Sequence, residues 1–550
     1  MHKIIAQLLF AFCLLAACGG EAVDQATELQ DANPDPDSFP VEFSFLYKGE
    51  PTPVRAYFQL NGQTFLIDSL GWRLPIVMDY HYHDRAFPLK TSIPVLDMSH
   101  NGEHHLYFLN GRATLPMLPG KYRISIYKGV EFIPLHAEFE LNGGEREMVF
   151  ELERWIDLAG EGWFSGDDHI HLSRERTDDQ LYLSLLEADG LSVGHFLQLQ
   201  RREQAAVQYG WGDSAQARRG DHIIRSGEEQ RSHFYGHNLM LGLNSLVRPV
   251  SQGLTYGLTA FADPLSEELF DKARAQGGTV GYAHDDGGVE YSAAMFVLAH
   301  GDIDFLEVFQ FGMMRATFWY NALSCGFRIP GTAGSDFPYS LARYDRWPRL
   351  IPPFGPDRMY VRVKGPLKFD SWMEQVRQGN ILLTNGPFVE FNVGGVEPGS
   401  ELKLSAGQRS ITIRATVRHW RPLNQAKLIV NGRAVRTYAN DSATLWSIAD
   451  SLSLESSAWV ALHVLSDSTG SGDEGVELEA HTNPVYVLVD EMPVGEPEAL
   501  QDEIEKLEKM RAYYASDELV FRFESARLRL LERADLALDM LRERLESAEN

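Results

Sequence analysis

Apolar and polar residues alternate in short runs from 41 to 155, as in Val41-Glu42-Phe43-Ser44-Phe45 and Tyr122-Arg123-Ile124-Ser125-Ile126. A period of two puts every second side chain on one face, the signature of strands with one buried side. Turn chemistry separates the runs: Leu118-Pro119-Gly120 leads into a strand, and Asn142-Gly143-Gly144 marks another turn. Residues 40–157 are therefore expected to form a β-sandwich. From 160 to about 390 the pattern changes. Apolar runs at 190–197, 222–225, 278–284, 303–309, 328–335 and 358–363 read as buried strands, with helical patterns at 178–189, 265–276, 313–325 and 368–378. That alternation predicts an α/β unit over 158–392, built on a largely parallel sheet or barrel with functional residues at strand C-terminal ends. Period two returns in Ser410–Val417, and Val430-Asn431-Gly432-Arg433 is a hairpin signal, so 393–492 reads as a second β-sandwich. Residues 493–550 carry Glu, Leu, Arg and Ala at helical spacing, broken near Ala515-Ser516-Asp517. They predict two helices that pack on their own chain or serve self-association. The fold class is thus multidomain α/β plus β.

The N-terminus adds a different signal. Met1-His2-Lys3 precedes an apolar run, Ile4 to Ala17, interrupted only by Gln7. Such a run is too short to span a bilayer and reads as a signal-peptide core over 1–17. It ends Leu15-Ala16-Ala17-Cys18-Gly19, which resembles the bacterial lipobox and implies lipidation of Cys18. Residues 18–39, rich in Glu, Asp, Gln and Pro, suit a flexible linker. Of three cysteines, Cys13 would be cleaved off and Cys18 lipidated, leaving Cys325 and no internal disulfide. Gly19 does not resemble an inner-membrane retention signal, so the periplasmic face of the outer membrane is the expected location, with the lipid as the membrane contact. A formal charge of −27 argues against nucleic acid as the main partner and leaves a small molecule as the expected substrate.

Candidate chemistry concentrates in the α/β unit. In Gly166-Asp167-Asp168-His169-Ile170-His171, His169 and His171 share one face of a strand and can chelate one divalent ion, while Ile170 packs into the opposite layer. An H-x-H pair is common by itself; later residues give it meaning. Glu229 follows Ile223-Ile224, and His237 sits in Tyr235-Gly236-His237-Asn238, where glycine lets the backbone approach closely. His284 ends the run Gly277–His284, Glu307 lies in Asp304-Phe305-Leu306-Glu307-Val308, and Asp336 follows Thr332-Ala333-Gly334-Ser335. Buried without partners, such charges are costly, so a cation is the economical explanation. Mixed imidazole and carboxylate donors suit Zn, Mn or Fe. The pairs His81-Tyr82-His83 and His104-His105 have no carboxylate in register and read as surface residues.

The order of these residues resembles the PHP (polymerase and histidinol phosphatase) metallohydrolase superfamily. Gly162–Asp167, Leu323–Pro330 with Ala333-Gly334-Ser335-Asp336, and Leu383-Thr384-Asn385-Gly386-Pro387 resemble its CehA/McbA branch, named for carbaryl hydrolases. The resemblance covers about 160–435. It implies a distorted (β/α) barrel and a metal-activated water attacking a phosphoester, or a carboxylic ester, carbamate or amide. His169, His171 and Asp336 would hold one ion; Glu229 would bridge to a second held by His237 and His284. Asp336 and Glu229 would serve catalysis, Asp167 would orient a ligand histidine, and Glu307 would stand behind the ligands. Arg343 and Arg358, in the aromatic and Arg-rich stretch Tyr339–Arg358, would bind an anionic group. Two departures remove a third metal position: Leu197-Gln198-Leu199 replaces the family's Thr-Asp-His, with His195 nearby but out of register, and Asp336-Phe337-Pro338 replaces Asp-x-His. One or two ions remain. The rival reading is a cell-surface binding or scaffold lipoprotein with a degenerate site.

Overall fold

A computed structural model describes residues 35–65, 73–75, 94–100, 103–200, 205–249, 253, 257, 260–288, 293–338, 354–405, 407–466 and 477–549. The signal peptide, Cys18, most of the linker, the His81/His83 pair and Arg343 lie outside these residues. The fold is mixed α/β, with many strands and few helices.

The N-terminal strands form two sheets. Phe39–Tyr47 pairs antiparallel with Arg112–Met117 and parallel with Glu147–Glu151. The other sheet runs through Leu135–Leu141, Gly120–Tyr127, Val54–Leu60, Glu103–Phe108 and Val95–His100. Alternation sends Phe43 and Phe45 from one sheet, and Phe58, Phe108 and Ile124 from the other, into one core. The histidine pair at 104–105 is not at the surface as the sequence suggested. His104 Nδ1 lies 2.7 Å from Asp97 Oδ2, and buried His105 lies 2.6 Å from the Tyr57 hydroxyl. The carboxylate partner comes from the neighbouring strand, which alternation along one strand cannot reveal.

The central sheet carries the chemistry. Trp163–Ile170, buried throughout, runs parallel to Val193–Gln200, which runs parallel to His222–Ser232. Gly236–Leu241 then pairs antiparallel with His222–Ser232 and with Thr279–Tyr282. Thr279–Tyr282, Phe305–Gln310 and Gly331–Ala333 continue in parallel. A bridge between Ile170 and Phe337 brings the pairing back to its first strand. The expectation of a largely parallel sheet is therefore corrected to a mixed one. The cause is local: Ser232 Oγ accepts N–H bonds from Phe234 and Tyr235 (both 3.1 Å), and Gly236 takes φ 89°. A connection that short closes a hairpin; a parallel crossover needs a dozen or more residues.

Helices Asp179–Ala188, Ser266–Arg274, Thr317–Ser324 and Phe369–Gln378 cover this sheet. Leu181 and Leu185 pack with Ile170 and Phe196, and Trp372 donates from Nε1 to Phe164 O at 3.1 Å. Ile381–Thr384 pairs with both Arg358–Arg362 and Glu479–Thr482, carrying the hydrogen bonding into the C-terminal strands. Phe388–Val393, Ser410–Arg418 and Leu445–Ser453 form a separate three-stranded sheet. Helices Pro497–Ala515 and Glu524–Glu549 put Leu500, Ile504, Leu507, Leu530, Ala534 and Leu541 into the same core as the central strands. Among the described residues no helix is long and apolar enough to cross a membrane.

Candidate metal centre

The strand Trp163–Ile170 brings His169 and, just past its end, His171 to one place; their ring centroids are 4.9 Å apart. Each ring is held from behind. His171 Nδ1 lies 2.9 Å from Leu197 O, and His169 Nδ1 lies 2.9 Å from Glu307 Oε1. A carbonyl and a carboxylate accept only, so each Nδ1 carries a proton, and each Nε2 presents a lone pair when its ring is neutral. Those two Nε2 atoms face one another at 3.1 Å in a site with no solvent exposure at His169. Two such atoms need a positive charge between them, either a proton carried by one ring or a metal ion.

Asp336 and Glu229 complete the arrangement. The segment after Gly331–Ala333 lies against the first strand: His171 N donates to Phe337 O (2.7 Å) and Phe337 N to His169 O (3.2 Å). Asp336, at φ 51°, thereby puts Oδ1 3.5 Å from His169 Nε2 and 3.4 Å from His171 Nε2. Glu229 Oε2 lies 3.3 Å from His171 Nε2 and 3.9 Å from His169 Nε2. A tetrahedral ion with bonds of about 2.0–2.2 Å has ligand–ligand edges of roughly 3.3–3.6 Å. The two Nε2 atoms are 3.1 Å apart and Glu229 and Asp336 each stand 3.3–3.9 Å from them, which brackets that value, and His169, His171 and Glu229 together come close enough to fit a divalent ion.

A second group shares Glu229. Its other oxygen, Oε1, is 3.1 Å from His237 Nδ1, and the His237 and His284 rings are 5.4 Å apart. The side-chain oxygens and nitrogens of Glu229, His237 and His284 also come close enough together to hold an ion. Neither Glu229 nor His237 occupies the strand C-terminal end expected of it. Glu229 lies inside His222–Ser232, and His237 is the second residue of the returning strand. Glu229 pairs with Leu239, so His237 is its diagonal neighbour on the same face. His284 stands beyond its strand, at φ 59°, followed by Asp285 at φ 71°. The Asp285 carboxylate accepts N–H bonds from Phe318 (2.9 Å) and Trp319 (3.0 Å), pinning that turn to the start of the helix Thr317–Ser324. Gln310 Oε1 lies 2.6 Å from His284 Nδ1.

Burial opposes ionisation of Asp336, but the positive charge of His169 and a hydrogen bond from His171 outweigh it and hold its carboxyl down at about 2. Burial disfavours the charged imidazoles, yet their carboxylate neighbours raise both above the usual range. Burial and Glu307 push Asp168 well above the usual carboxylate range. Burial, helped by Arg231, holds His237 down at about 4, neutral and able to donate a lone pair to an ion. His195 is a core residue instead: burial against Phe369 and Trp372 lowers it to about 3.

Three expectations change. Asp167 orients main chain rather than an imidazole: Oδ1 accepts from His169 N and Ser335 N, and Oδ2 from Gly355 N, all at 3.0 Å. A bulge between Asp167 and Ile170 turns its carboxylate toward those amides. Arg358 is fully buried and donates to the carbonyls of Asp189, Gly190 and Gly355, so its guanidinium is turned to main chain rather than to an anion. Glu307 gains a defined place, accepting from His169 Nδ1, from His284 N (3.1 Å) and from Gln310 Nε2 (3.1 Å). Sequence reasoning passed over Asp168, Gln310 and Gly334. A Cβ at Gly334 would stand 2.3 Å from Asp168 Oδ1 and 2.7 Å from Glu307 Oε1. Asp168 directly precedes His169, but simple alternation along the strand sends its side chain to the opposite face.

No family model matches the chain, and no curated protein matches it. Among solved structures, it is similar to a two-domain protein from Bacteroides vulgatus containing a predicted PHP-like metal-dependent phosphoesterase. That likeness is 11% identical, covers 58% of this chain and 95% of the other, and has a TM-score of 0.33. PsfC from Pseudomonas syringae is 14% identical over 39% of this chain and 90% of its own, with a TM-score of 0.28. The lesion-specific endonuclease PfuEndoQ from Pyrococcus furiosus is 14% identical over 39% and 55%, with a TM-score of 0.24.

Proposed function

We propose that the chain is a metal-dependent hydrolase of PHP type, of the CehA/McbA branch, acting on a phosphoester or on a carboxylic ester, carbamate or amide. The observation that carries this is the pair of His169 and His171 Nε2 atoms 3.1 Å apart, flanked by two carboxylates in a buried site. His169, His171, Glu229 and Asp336 would hold the ion. A divalent ion there would acidify a water and polarise the oxygen under attack. The chain's own residues would do the rest: Glu307 and Leu197 O fix the two imidazoles, and Asp336 or the neighbouring carboxylate Glu229 would accept the proton the attacking water gives up. The ring of strand pairing favours a distorted barrel for 158–392, and the shared aromatic core favours a sandwich for 40–157.

Metal content of the purified mature protein, compared with a His169→Ala/His171→Ala variant, tests the site; equal metal in both would sink it. A panel of aryl phosphates, aryl esters and aryl carbamates with added Mn or Zn separates the reaction classes. The lipid anchor on Cys18 and the outer-membrane location belong to the same reading. Cys18→Ser should move the protein from the membrane to the soluble periplasmic fraction, and unchanged membrane association would refute the anchor.

A further inference from the structure

The two oxygens of Glu229 face different surroundings. Oε2 turns to the imidazoles of His169 and His171. Oε1 turns to His237 at 3.1 Å, but also to Arg231, whose Nε is 3.5 Å away. Arg231 stands two residues after Glu229 on the same strand, so the two share a face, and it pairs directly across from His237. Its side chain is only 17% exposed. A guanidinium stays charged at any physiological pH and cannot yield as a lysine can. An ion seated on Oε1 and His237 would therefore share that oxygen with a fixed positive charge, with little water between to screen it. Around the first position, at His169 and His171, stand the carboxylates Glu229, Glu307 and Asp336.

Resting on the hydrolase reading above, we propose that Arg231 stands in for a second metal ion. The centre then binds one divalent ion, on His169, His171, Glu229 and Asp336. Glu229 is balanced by the ion on one oxygen and by the guanidinium on the other. His237 and His284 then line the centre beside that ion rather than hold a second one.

Equilibrium dialysis of the purified full chain against Zn, with metal counted by mass spectrometry, tests this without any substrate. The wild type should hold one tightly bound ion per chain and Arg231→Lys, which keeps the charge, also one. Arg231→Gln should take up a second ion, and Arg231→Gln/His237→Ala should lose it again. Two tight ions in the wild type, or a single ion in a folded Arg231→Gln chain, would overturn the proposal while leaving the hydrolase reading intact. No ion in the wild type would remove both. Circular dichroism of Arg231→Gln, with Arg231→Met as a second neutral variant, ensures that a folded uncharged form is measured.

Discussion

At the scale of single residues, the centre depends on groups that hold the candidate ligands from behind. Glu307 fixes the His169 ring through Nδ1 and also accepts the backbone N–H of His284, so it links both histidine groups. Replacing such a partner of a ligand imidazole costs about 10–100-fold in metal affinity. Glu307→Gln is expected to lose that much in a competition titration with a metal chelator; unchanged affinity would mean that the ring is oriented by something else. His195 supplies a pH prediction. Its pKa falls from an ordinary 6.5 to about 3 through burial, so the folded state keeps it neutral while the unfolded chain protonates it. Its contribution is complete above pH 6.5 and is lost progressively as pH falls toward 3. At pH 4 the deficit is about 3 kcal/mol. Denaturant unfolding of His195→Leu should therefore match the wild type more closely at pH 7 than at pH 4, where the variant gains relative stability.

At the scale of elements, the position of one strand sets two candidate ligands at once. Gly166 lets the Trp372 indole from the helix Phe369–Gln378 lie against that strand; a Cβ there would stand 2.2 Å from the ring. Gly166→Ala must push the strand or the helix aside, at a cost of about 1–3 kcal/mol for overpacking. We expect a lower Tm together with weaker metal binding, and recovery of both when Trp372→Leu is added. Recovery of neither would show that the strand position does not govern the site. The hairpin of His222–Ser232 and Gly236–Leu241 matters in the same way, because only the antiparallel return makes His237 a diagonal neighbour of Glu229.

At the scale of the whole molecule, the C-terminal helices share a core with the central strands rather than standing apart. Leu500, Leu507, Leu530 and Leu541 are buried there, and Arg533 pairs with Glu267 and Asp302 of the central unit. A chain ending at 492 should expose that core, bind a hydrophobic dye and lose its cooperative thermal transition; an unchanged transition would show the helices to be an appendage. Much of the architecture was legible in the pattern of side chains alone. Period-two runs located the N- and C-terminal strands, and helical spacing located Phe369–Gln378 and the break between the last two helices, because both signals are local. The residues now found around His169 were also nameable, since each follows an apolar run or a glycine. What the sequence by itself determined is therefore the inventory: which stretches bury a face, and which polar residues sit beside them. Only the tertiary structure decided their partners. It turned Arg358 onto three carbonyls, gave Asp97 to His104, aimed Asp167 at main-chain amides and set Arg231 against Glu229. The reason is that hydrogen bonds and ion pairs join residues distant in the chain, through registers, bulges and turns that periodicity does not encode.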